Sequence, residues 1–202
     1  MSPVAYCTDK KSREVKALII LEHYLGITGL KISDSPDITD NASIGIEVVQ
    51  TSEQEFLRDV AEQEISYVES GNLSDLPDRE YECEVYVSDE KEAVVEKTLF
   101  GLYLAKYREK LHKLNDHYTI FLENDLFMFG NMMHLEDNEL ELLLHFFKRE
   151  NNNYEKKYDK VFVYENSRLF EVNLKESKII KINVDDYKVE DKVLGIYERN
   201  EE

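Results

Sequence analysis

The sequence predicts an α/β fold, a mixed central sheet flanked by helices, organised as one domain over residues 1–202. Two observations carry that expectation. Stretches with apolar residues at helical spacing are interleaved with short runs of period two, the order a layered α/β domain requires. The composition, 42% hydrophobic with 13 tyrosines and 9 phenylalanines, supplies a core large enough to cover a sheet and excludes wholesale disorder.

The elements follow in order. From Asp9 to Leu25, Val15, Leu18, Leu21 and Leu25 recur at steps of three and four, and Gly26 or Gly29 stops the helix. Leu30 to Ile32 reads as a short strand. Ser33 to Pro36 interrupts it, Ile38 resumes, and Thr39-Asp40-Asn41-Ala42 has turn chemistry before a strand from Ser43 to Gln50, which makes a hairpin. Thr51 or Ser52 can cap a helix reaching about Ser70, Gly71 to Arg79 reads as a loop, and Tyr81 to Val87 alternates as a strand with one acidic face. Glu90 to Leu114 forms a long helix ended by Asn115-Asp116, with strand character at Tyr118 to Leu122 and at Leu126 to Phe129. Asp137 or Asn138 caps a helix that buries Leu140, Leu143, Leu144 and Phe147, and Asn151-Asn152-Asn153 breaks it. Lys160 to Tyr164, Leu169 to Val172 and Ile179 to Ile182 finish the chain as strands joined by turns.

The formal charge of −18 is unevenly spread: residues 53–96 hold 15 acidic and 3 basic side chains. That segment reads as an acidic elaboration between an active-site-like helix and hairpin over 9–52 and a second half of the core over 97–202. So negative a chain cannot coat duplex DNA by general electrostatics. Cys7 and Cys83 belong to no CxxC pair, which suits a reducing cytoplasm, and no stretch reaches the roughly 18 apolar residues of a membrane span. The expectation is a soluble, cytoplasmic protein. P-loop, GxGxxG, GxSxG and HxxxH motifs are all absent.

Chemistry concentrates in three carboxylates. Period two places Ile44, Ile46 and Val48 on one face of their strand and Gly45, Glu47 and Val49 on the other, so Glu47 interrupts an apolar strand. A carboxylate there must be paired, open to a cleft or bound to a metal. Asp37 follows Pro36 across the hairpin, and Glu14 shares the helix face of Leu18, Leu21 and Leu25. Convergence of the three would suit Mg²⁺, which takes oxygen ligands and keeps waters that a substrate phosphate can replace.

A helix bearing Glu14, then Ser35-Pro36-Asp37, a turn, and Ile44-Gly45-Ile46-Glu47-Val48 resembles the active-site hairpin of the PD-(D/E)XK nuclease superfamily. The run Tyr107 to Asn115 with Tyr118, followed by Asn124 to Phe129, is similar to the second half of uncharacterised bacterial and phage members. The resemblance covers about residues 9–55 and 92–182. It implies a restriction-endonuclease-like core, Mg²⁺ or Mn²⁺ held by Asp37, Glu47 and the Val48 carbonyl, a supporting role for Glu14, and phosphodiester cleavage in DNA. One departure is serious. The motif lysine, expected two positions after Glu47, is Val49, and Gln50 can replace only hydrogen bonding. Lys110 and Lys113 on the long helix are candidates for a displaced ammonium.

Two functions follow. One is a Mg²⁺-dependent DNA nuclease or its degenerate descendant. The alternative is a non-catalytic acidic binding protein, for example a phage or mobile-element inhibitor, whose residues 53–96 occupy the basic nucleic-acid-binding site of a partner protein.

Overall fold

The computed structural model describes residues 10–51, 99–116, 121–130 and 135–199. The helix expected to about Ser70, the Gly71 to Arg79 loop, the Tyr81 to Val87 strand, the start of the long helix and Tyr118 to Ile120 lie outside them, as does the whole of the acidic elaboration.

The elements are α1 (Lys10–Tyr24), β1 (Lys31–Ile32), β2 (Ile38–Thr39), β3 (Ile44–Gln50), α2 (Leu99–Asp116), β4 (Glu123–Phe129), α3 (Asp137–Asn151), β5 (Lys160–Glu165), β6 (Arg168–Asn173), β7 (Lys178–Asn183) and α4 (Asp186–Arg199). Seven strands form one sheet in sequential order. β1, β2 and β3 run antiparallel, β3, β4 and β5 run parallel, and β5, β6 and β7 return to antiparallel. Parallel neighbours need a crossover rather than a hairpin, and the chain places α2 between β3 and β4 and α3 between β4 and β5. The α/β class with a mixed sheet is therefore as expected.

Both faces of the parallel centre are covered, which is why β4 and β5 read as nearly continuous apolar runs. On one face Tyr107, Leu111, Leu140, Leu143 and Phe147 pack with Val49, Leu126, Met128, Val161 and Val163. On the other, Val15, Ile20, Val189 and Val193 pack with Ile38, Ile46, Val48, Phe127 and Phe162. The result is three layers, with α2 and α3 on one side and α1 and α4 on the other.

Two boundaries and one element differ from expectation. β4 starts at Glu123, and Leu122 before it is 84% exposed in a bend, so the strand expected to run through Leu122 does not reach it. Glu136, not Asp137 or Asn138, caps α3, where it and Glu139 form a reciprocal capping box. α4 follows the three expected strands, where the sequence reading ended the chain without a helix. Its signals are Asp185, whose carboxylate accepts the Lys188 N–H at 3.3 Å, and the helical spacing of Val189, Val193 and Ile196, diluted by charged residues and Gly195.

The hairpin that matters for function is held by its turn. Asp40 Oδ1 accepts the N–H groups of Ala42, Ser43 and Ile44 at 2.8 to 2.9 Å, which holds that carboxyl well below the usual carboxylate range. Gly45, the next residue, has no room for a side chain: an added Cβ would lie 2.6 Å from the Phe121 ring and 3.0 Å from Pro36 Cγ. We expect Gly45→Ala to cost about 1–3 kcal/mol through overpacking, and clearly less in a Phe121→Ala background. Urea unfolding of the four chains checks this, and equal costs in both backgrounds would refute the ring contact as the cause.

Candidate functional site

Four elements bring charged groups together around the start of β2 and the middle of β3. Lys10 and Glu14 lie one turn apart on α1, so their side chains share a side of the helix. The pairing of Ile38 with Ile46 sets Asp37, one residue before β2, opposite Glu47. β2 is only two residues long, and past its end the Val48 N–H donates to Asp37 Oδ2 at 2.8 Å instead of to a strand carbonyl.

The carboxylates are deeply placed, with Glu14, Asp37 and Glu47 between 3% and 6% exposed. Each meets an ammonium. Lys10 Nζ bridges Asp37 Oδ1 at 2.8 Å and Glu14 Oε1 at 3.3 Å, while Lys110 Nζ from α2 lies 3.1 Å from Glu47 Oε2. Burial, followed by the neighbouring Asp37 charge, raises the Glu14 carboxyl above its ordinary range even against the pull of Lys10. The hydrogen bond to Asp37 raises the Lys10 ammonium in turn.

Lys110 owes its position to the core beside it. Tyr107, one turn earlier on α2, is fully buried, stacks on Phe147 at 4.2 Å and donates its hydroxyl to Asn151 Oδ1 at 2.7 Å. The Tyr158 hydroxyl donates to the Lys110 carbonyl at 3.2 Å. Val49, at the position of the absent motif lysine, is buried in the same apolar cluster. Its isopropyl group is part of the packing that seats α2.

Of the residues singled out from sequence, the structure joins Glu14 to Asp37 through Lys10, Val48 to Asp37 through its N–H, and Glu47 to Lys110, and it sets Lys113 apart. Lys113 Nζ lies 2.6 Å from Glu109 Oε1 on the outer side of α2, and Lys106 takes the other oxygen of that carboxylate. Burial works to raise Glu109, but the two ammonium groups outweigh it and hold the carboxyl at about 2. The expected convergence of three carboxylates on one point is replaced by two ammonium-bridged groups, Glu14 with Asp37 and Glu47 with Lys110. Among the described residues no group of three or more His, Cys, Asp or Glu is placed to hold a metal ion. Sequence reading missed Lys10, although its signal, a lysine four residues before Glu14 on one helix face, was present.

The donors fit a hard divalent cation by type. Asp37 and Glu47 offer oxygens from adjacent chain segments, with neither sulfur nor imidazole among them, and each already holds an ammonium. Two carboxylates are the number Mg²⁺ uses when water and substrate phosphate complete its shell.

Two outcomes test these assignments. Lys110→Met should destabilise the protein by roughly 3 kcal/mol because it strips a buried carboxylate of its counterion, and adding Glu47→Gln should recover most of the loss. Additive losses in a double-mutant cycle would show that the two groups are not coupled. For Glu14, a raised carboxyl gives stability present below the ordinary carboxylate range and lost as pH rises through the raised folded value. Glu14→Gln should therefore match the native chain in acid and gain on it toward neutral pH in urea unfolding, and a pH-independent difference would refute this.

Compared with family models, with curated proteins and with solved structures, the chain matches none of them.

Proposed function

We propose that the protein is a divalent-metal-dependent phosphodiester hydrolase acting on DNA, a PD-(D/E)XK superfamily member with a restriction-endonuclease-like core in which Lys110 replaces the missing motif lysine. The observation that carries this reading is the Lys110 ammonium 3.1 Å from Glu47 Oε2, with Glu47 at the strand position opposite Asp37. Helix α1, the antiparallel β1 to β3, the crossover helix α2 and the parallel β4 support such a core, with the acidic pair on the hairpin.

Asp37, Glu47 and the Val48 carbonyl are the groups that would hold Mg²⁺ or Mn²⁺. When bound, such a cation supplies polarisation of a phosphoryl oxygen. The chain's own residues do the rest. The Val48 N–H fixes the rotamer of Asp37, and the Lys110 ammonium, only 14% exposed, lies in a largely dry site where its interaction with charge counts for more than in water. Glu14 sits behind Lys10 and Asp37 as a carboxylate able to orient water.

Plasmid and single-stranded DNA cleavage with Mg²⁺ or Mn²⁺ tests the proposal. The native chain should cut, and Glu47→Ala and Lys110→Met should each lose about 100-fold or more while keeping native circular dichroism. Native protein inert in both metals would sink the hydrolase and leave the non-catalytic acidic binding protein as the reading of this fold.

A further inference from the structure

The two ammonium groups of the site differ in freedom. Lys110 is 14% exposed and rises from a helix locked by the Tyr107 network. Lys10 is 66% exposed at the first described turn of α1, yet its ammonium reaches the side chains of Asp37 and Glu14, which are 4% and 8% exposed. A long flexible side chain therefore reaches from solvent onto two buried carboxylates, and one of these, Asp37, is an oxygen donor of the proposed metal site. A metal ion at Asp37 Oδ1 would be repelled at close range by the Lys10 ammonium 2.8 Å from the same oxygen, and the other oxygen already accepts the Val48 N–H.

We propose that Lys10 is a tethered competitor for the metal: its ammonium occupies Asp37 when no divalent cation is bound, and it must swing outward for one to enter. This rests on the metal-dependent reading above and adds to it a residue that sets metal affinity. The competition lowers affinity by the free energy of the Lys10 contacts. It also leaves the site neutralised without metal, so apo protein does not carry two uncompensated buried charges.

Titration of the full chain with Mn²⁺, reading free ion by electron paramagnetic resonance, decides the matter. Lys10→Met should bind Mn²⁺ about two- to fivefold more tightly than the native chain, the range for losing one partly exposed ion pair. Lys10→Arg should stay close to native. Lys11→Met, which removes an equal charge from the adjacent exposed position, should also stay close to native. Should Lys10→Met fail to fold, Lys10→Gln is read in the same way. If Lys10→Met matches the native chain, or if Lys11→Met tightens binding equally, the competitor role is overturned while the metal site stands. If no variant and no native protein binds Mn²⁺ at millimolar concentration, the metal-dependent reading fails with it.

Discussion

A carboxylate in the middle of a covered sheet has to be neutralised, and the position of Glu47 on β3 imposes that requirement on much of the molecule. An uncompensated charge there would cost several kcal/mol, a large share of the stability of a domain this size. The counterion comes from α2, so α2 must sit at a fixed height and rotation over the sheet. Stacking of Tyr107 on Phe147 and the hydroxyl bond to Asn151 fix both. Asn151 in turn donates to the Tyr158 carbonyl at 2.7 Å and closes the link between α3 and the start of β5. An apolar face that looks purely structural is thus what aims the Lys110 ammonium.

Other buried acids in the same protein are managed differently. Glu165 is ringed by donors, the Tyr103 hydroxyl and the Leu135 N–H each at 2.8 Å, and burial still raises it. Asp125 accepts the Lys160 N–H through Oδ1, while Oδ2 has no partner among the described residues. Burial, then the Glu123 charge, pushes that carboxyl well above its usual range. Asp159 and Glu150 are paired with the partly exposed Lys175, Arg108 and Arg149, so what marks the group around β2 and β3 is that one ammonium, Lys10, bridges two buried carboxylates.

Much of this was legible in the sequence because it is local. The alternation of Ile46, Glu47 and Val48 assigned faces correctly, and the turn residues Asp40 and Asn41 marked the hairpin. Strand limits at β5, β6 and β7 fell within a residue or two of expectation. What stayed hidden depends on distance in the chain. Nothing local distinguishes Lys110 from Lys113, since both lie on a charged helix and only the rotation of α2 over β3 sends one inward. α4 was overlooked because its apolar stripe becomes meaningful only beside α1, which covers it. The three-way meeting of carboxylates was the natural expectation from faces alone, and it failed because faces do not say how far apart on a face two groups stand.

The bond from the Val48 N–H to Asp37 reaches beyond the site. A two-residue strand such as β2 has few ladder bonds to fix its alignment, and sliding it by one position would turn Ile38 from the core toward the opposite side of the sheet. Asp37 works against that slip, because its carboxylate finds an amide only in the native alignment. The residue offered to chemistry is therefore also a proofreading device for strand pairing. Selection on the alignment alone could preserve an aspartate at this position in a descendant that had given up catalysis, so its presence is a weaker record of activity than the placement of Lys110.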